Sequence, residues 1–154
     1  MNTELARKNV CLISNGGSII CGSKYRKTCI DDQPSKSHAE GHTGHASSDP
    51  RIVVKLKEEF ELNQIEFLLN SSYKSKAYIV ETKCKGEEWS VLFDSQEECS
   101  GKQTITFKPK KMQYISVKKR GISSLKDFVG YFSIIYISAL FDPNLPETCL
   151  SSSV

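Results

Sequence analysis

The chain has 154 residues, 38% hydrophobic and 25% charged, with a formal net charge of +3. That length fits one domain with a substantial core, and the composition excludes disordered and fibrous classes. The charge is too small to imply nucleic acid, which calls for a concentrated basic patch. No apolar run approaches the roughly 20 residues that span a bilayer. The N-terminal stretch has no apolar core ahead of a small-residue cleavage site, so no export signal is expected.

Residues 1–8 read as a polar lead-in. Residues 9–13 and 18–21 then read as two short strands, with Asn15-Gly16-Gly17 as the turn between them. Residues 31–50, DDQPSKSHAEGHTGHASSDP, hold only small, polar and charged groups without a period. A loop of that length inside a compact domain is either functional or idle.

Residues 51–94 form the centre of the chain. Ile52, Val54 and Leu56 alternate with other residues, as do Ile65, Phe67 and Leu69, then Tyr78, Val80 and Thr82, then Trp89, Val91 and Phe93. A period of two buries one face of each strand, and the β-branched and aromatic content supports strands over helices. Trp89 is a candidate stacking platform for a sugar, but its place within a strand favours the core. Turns are expected at 58–61 and 85–86.

Residues 94–102 read as a polar loop, 103–107 as a strand, 108–111 as a basic turn, and 112–118 as a strand with Tyr114 and Ser116 on one face. A loop over 119–128 follows, with one helical turn at 124–128. Residues 131–141 are apolar on both faces, as in a strand covered on both sides. Residues 142–154 read as a tail. Eight or nine strands at this spacing predict an all-β antiparallel β-sandwich of the jelly-roll kind over residues 9–141.

The order CIDDQP, a long polar loop, RIVVKLKEEFELNQIEFLL, YIVETKCKGEEWSVLFD, ITFKPKKMQYISVKKRG and YFSIIYISALF resembles the discoidin, or coagulation-factor type C, domain. That family has the galactose-binding-like jelly roll. The similarity is greatest to the intracellular version at the C-terminus of some BTB-domain proteins. It implies a ligand site on loops at one end of the sandwich, the loops matching residues 31–50 and 70–76 among them.

Strand reversal gives the same end independently. If each connection changes rim, then loops 31–50, 70–76, 94–102 and 118–128 share one rim. That rim collects His38, His42, His45, Tyr73, Lys74, Lys76, Lys118, Lys119 and Arg120. Loops on a rigid scaffold are where binding residues gather. Lys108, Lys110 and Lys111 fall at the opposite rim, roughly 20 Å from Lys118 at about 3.4 Å per strand residue. Positive charge divided in this way does not make a nucleic-acid stripe.

His38, His42 and His45, with Glu40 and Asp49 nearby, suit zinc or nickel only if the loop folds back on itself. The bland alternative is a solvated loop, and no metal or other cofactor is expected. Tyr73 in a polar loop can offer a ring for stacking. Nucleophilic catalysis needs a base beside the nucleophile and a third orienting group. The histidines share one loop and no hydrolase, zincin or phosphate-loop motif occurs, so an enzyme is not expected. Of the cysteines, Cys11, Cys21, Cys29, Cys84, Cys99 and Cys149, none forms a C-x-x-C pair. Without an export signal they are expected to be reduced, in a cytoplasmic or other intracellular setting. A Cys11–Cys149 clamp would belong to an exported parent protein.

The leading expectation is a non-enzymatic module that binds a protein partner through His38, His42, His45, Tyr73, Lys74, Lys118, Lys119 and Arg120, within an adaptor or scaffold. The alternative is a carbohydrate-binding domain, weakened by the scarcity of aromatics in those loops. A metal-binding loop is a third possibility.

Overall fold

The structure, a computed structural model, describes residues 4–21, 28–31, 41–43, 51–69, 77–120 and 132–145. Among them are seven strands: β1 (Ser18–Cys21), β2 (Gly41–Thr43), β3 (Arg51–Leu69), β4 (Tyr78–Lys83), β5 (Ser90–Asp94), β6 (Lys102–Lys119) and β7 (Phe132–Leu140). All pair antiparallel, in the order β2-β7-β3-β6-β4-β5, with β1 also on β3. The expected all-β antiparallel sandwich is therefore present, built in a way that alternation alone does not reveal.

The turns expected at 58–61 and 108–111 are bends inside β3 and β6, which run through them without a break. Register slips between Lys55 and Phe60, and again between Leu62 and Gln64, mark the corner. Extra residues in a paired strand bend it and increase its twist. A straight β3 would hold Ile52 and Phe67 about 50 Å apart at ~3.4 Å per residue. Yet Tyr78, paired beside Ile52 through Lys119 and Val117, meets Phe67 edge-on at 4.9 Å between ring centroids. The two long strands thus fold over together, each serving both layers. The first layer contains β1, β4, β5, the Arg51 half of β3 and the Lys119 half of β6. The second contains β2, β7 and the remaining halves.

The core lies between the layers. Ile52, Val54 and Leu56, with Ile115 and Val117 beside them in the same layer, face Ile65, Phe67, Ile105, Ile134 and Ile137, all buried. Tyr78 bridges the layers: its ring stacks on Phe93 at 5.6 Å, and its hydroxyl donates to Gln103 Oε1 at 2.9 Å. At the corner, buried Asn63 exchanges two hydrogen bonds with the Asp142 backbone, donating to its carbonyl at 2.9 Å and accepting from its N–H at 2.8 Å. Both groups that a buried amide must satisfy are thereby met.

Four local expectations change. Residues 9–13 are turns, with 3-10 segments at Leu5–Arg7 and Ile13–Asn15. Asn9 is the cause. Its Oδ1 accepts from the Cys11 and Ala139 N–H groups, and its Nδ2 donates to the Ile137 carbonyl. A side-chain amide here takes the place of a strand on β7. Ala6 and Val10 are buried in the core. Within the loop 31–50, β2 pairs with Phe132–Ile134 of β7. Lastly, β7 is covered on one side: Ile134, Ile137 and Ala139 are buried, while Ile135, Tyr136, Ser138 and Leu140 are half-buried. A slip between Leu68 and Leu69 against Tyr136 and Ile134 breaks its alternation and makes the run look apolar on both faces.

Candidate functional site

Several strand ends converge at one rim. Arg51 pairs with Lys118 and Tyr78 with Lys119, while Leu69 pairs with Ile134 and Thr43 with Phe132. Three backbone hydrogen bonds join these ends: Leu69 N–H to Gly101 O, Ser95 N–H to Tyr78 O and Arg120 N–H to Ala77 O. The described ends that flank residues 44–50, 70–76 and 121–131 therefore stand together, as strand reversal predicts.

Among the described residues of that rim is the segment from Asp94 to Gln103. Asp94 Oδ1 accepts from Arg120 Nε at 2.9 Å and from the Gln96 N–H at 3.1 Å. Gln96 holds a left-handed φ of 59°, which for a non-glycine residue is uncommon and local strain of the kind found at binding sites. Ser95 Oγ accepts from the Tyr78 N–H and donates to Glu97 O. Gln103 Nε2 donates to Ser100 O while its Oε1 receives the Tyr78 hydroxyl. Burial pushes that hydroxyl's pKa well above the ordinary tyrosine value, so it remains a donor. Arg120 is oriented through Nε, and its side chain is half-exposed. A carboxylate and a guanidinium fixed in this way can bind vicinal hydroxyls or a carboxylate.

Of the described residues expected at the rim, Arg120 stands there with a half-exposed side chain. Lys118 instead lies on the outer face of the first layer, its Nζ 3.1 Å from Glu81 Oε1. Lys119 turns inward and is buried. The backbone of His42 pairs with Ser133 in β2. His38, His45, Tyr73, Lys74 and Lys76, the His42 side chain and Cys149 lie outside the described residues. Among those described, no group of three or more His, Cys, Asp or Glu side chains could hold a metal ion. Cys11, Cys21, Cys29, Cys84 and Cys99 are free thiols.

Trp89 is not in the core. A bulge at Leu92 places Phe93 opposite Val80 but Val91 opposite Glu81, and one extra residue moves everything before it to the other face. Trp89 is half-buried on the outside, with the Arg51 guanidinium 5.4 Å and Lys83 Nζ 5.0 Å from its ring centroid. Arg51 lies across two strands, donating from Nη1 to Ser116 Oγ at 3.3 Å, with Nη2 3.6 Å from Glu81 Oε1. That buried oxygen is held by charge, without an aligned hydrogen bond. Sequence reasoning missed Asp94, Glu81 and Arg51 as partners. The available signal for Glu81 and Arg51 was parity, since both alternate with core residues.

No family model matches the sequence, and no curated protein does. Solved structures do match in fold. A chitosan-binding module 1 from a chitosanase/glucanase of Paenibacillus sp. IK-5 superposes with a TM-score of 0.65 at 13% identity, over 86% of this chain and 98% of that one. The family 32 carbohydrate-binding module of Clostridium perfringens NanJ, in complex with galactose, gives 0.62 at 15% identity over 86% and 98%. CpGH89CBM32-5 from Clostridium perfringens, in complex with GalNAc-beta-1,3-galactose, gives 0.60 at 14% over 80% and 93%. The fold is the jelly roll of these modules.

Proposed function

We propose that this chain is a non-catalytic carbohydrate-binding module that holds a glycan at the rim carrying Asp94 and Arg120. The observation that carries the reading is the Asp94–Arg120 pair, a fixed hydrogen-bonding couple beside the ends that flank residues 70–76 and 121–131. The fold neighbours support it: they span nearly their whole length on this chain and are glycan-binding modules by description. Tyr73 and Lys74 belong to this proposed site, with Tyr73 offering a ring to the sugar. His38, His42 and His45 remain proposed contributors from the neighbouring segment. A relationship to discoidin domains is consistent with the shared jelly roll.

A protein partner, the leading expectation from sequence, draws less support. Of the basic run assigned to it, Lys118 is ion-paired with Glu81 and Lys119 is buried. The BTB-protein setting gains nothing from the fold neighbours.

Glycan-array screening followed by calorimetry tests the reading. A galactose- or amino-sugar-containing glycan should bind, and Arg120→Ala should weaken it about tenfold, the loss of a charged hydrogen bond. Tyr73→Ala should weaken it similarly. Binding unaffected by both substitutions would move the site off this rim.

A further inference from the structure

The bulge at Leu92 does more than expel Trp89 from the core. It completes a lattice of side chains on the outer face of the first layer. Directly paired residues in antiparallel strands share a face. One row, nearest the rim, reads Arg51, Lys118, Ile79, Asp94. The next reads Val53, Ser116, Glu81, Val91, and the third Lys55, Tyr114, Lys83. Trp89 closes the third row, because Lys83 Nζ stands 5.0 Å from its ring and 5.2 Å from that of Tyr114.

The chemistry of the patch is lopsided. Four cations, Arg51, Lys118, Lys83 and Lys55, share the face with two carboxylates: Glu81, which Arg51 and Lys118 already engage, and Asp94, which Arg120 engages. Among the described residues no carboxylate comes within ion-pair reach of Lys83 or Lys55. Both rings are half-buried and each keeps an exposed part, and Val91, at 60% exposure, is among the most exposed large apolar side chains described. Alternating cation and ring across the strands spans about 14 Å at ~4.8 Å per strand. Such a surface offers charge for an anion and flat apolar contact for the body that carries it. The exposed Glu87 and Glu88 lie on the turn before Trp89, at one side of the patch.

We propose that this sheet face is a second binding surface, on which Lys83, Lys55, Tyr114 and Trp89 receive an anionic sugar bearing a carboxylate or a sulfate. The choice of a sugar rests on the glycan reading above; the anion rests on the patch itself. The ammonium of Lys83 takes the anionic group, and the exposed parts of the two rings take the apolar face of the pyranose.

Trp89 is the only tryptophan and stands within the patch, so its emission reports occupancy. The full chain is titrated at low salt with tetragalacturonate, with a sulfated uronic-acid tetrasaccharide and with neutral N-acetylchitotetraose. Inorganic sulfate and a poly-glutamate peptide complete the set. A saturable change in Trp89 emission is expected with an acidic tetrasaccharide. Lys83→Gln should weaken it about tenfold, with Tyr114→Ala acting in the same direction, while circular dichroism stays unchanged. Which acidic sugar responds separates carboxylate from sulfate recognition. Silence of Trp89 toward both acidic sugars overturns the proposal. So does an equal response to sulfate or poly-glutamate, or binding that survives Lys83→Gln. A neutral glycan bound and then lost in Arg120→Ala, with no Trp89 response to acidic sugars, removes this surface and keeps the rim site. Absence of binding to every sugar removes both.

Discussion

Tyr78 is the residue whose replacement tests the facing of the two layers most directly. Its ring is fully enclosed between Phe67 of one layer and Phe93 of the other. Tyr78→Ala removes that ring and leaves a cavity between layers held by long strands that cannot close over it. Aromatic-to-alanine changes in such cores cost about 3–5 kcal/mol. Against a total stability of about 5–15 kcal/mol for a domain, that is a large share. Tyr78→Phe keeps the ring and loses only the bond to Gln103, a cost of about 1 kcal/mol. Urea unfolding followed by Trp89 emission measures both. A Tyr78→Ala cost below about 1 kcal/mol, or equal costs for the two variants, would refute the bridging geometry. The hydroxyl adds a pH signature. Burial raises its pKa above the ordinary 10.0, so its contribution is complete below that value and lost as pH rises beyond it. Tyr78→Phe should therefore unfold less steeply than the parent above about pH 10.

Two glycine substitutions separate space from backbone strain. At Gly17 a Cβ would overlap the Cys11 carbonyl, while at Gly86, with φ of 82°, it would meet nothing. Gly17→Ala should cost several kcal/mol by thermal unfolding, whereas Gly86→Ala should cost about 1 kcal/mol from conformation alone. Burial, with the neighbouring Cys29 thiol adding to it, raises the Cys11 pKa, and burial pushes Cys29 from 9.0 to about 12. Cys84 is pushed to about 11 by burial together with Glu87 and Glu59. With thiolate scarce, all three should label slowly with a disulfide reagent at pH 8, and Cys21 and Cys99 should label first. Folded stability should also fall as pH rises from about 9 toward 12, since the unfolded thiols ionise first. Rapid labelling of Cys11 in the folded chain would contradict its burial.

Much of the architecture was legible because burial follows parity. Ile52, Val54, Phe67, Val80, Ile115 and Val117 sit inside as their alternation predicts. What alternation cannot encode is an inserted residue. Leu92 looks like any strand position, yet as a bulge it separates Trp89 from Phe93 and reverses the expected side of the only tryptophan. The same blindness made β3 and β6 look like four strands, since bends that keep both partners hydrogen-bonded resemble turns in composition. Asn9 failed for a different reason. Its polar side chain fits a strand end or a loop equally, and only the arrival of β7 gives it Ile137 and Ala139 to bond. At the rim, Arg120 was recognisable as a basic strand end. Its orientation was not, because Asp94 comes from a strand that is distant in sequence and meets it only in the sheet.

The bonds of Asn9 and Val10 to Ile137 and Ala139 carry a consequence for biogenesis. These partners lie 128 and 130 residues apart along the chain, and β7 must also dock on β3 strand residues laid down long before. The nascent chain therefore emerges with its early strands lacking their last neighbour, and closure waits for β7. Contacts so distant along the polypeptide slow folding and prolong exposure of unpaired edges. Production at lower temperature, with chaperones in excess, should raise the soluble yield more than any single surface substitution.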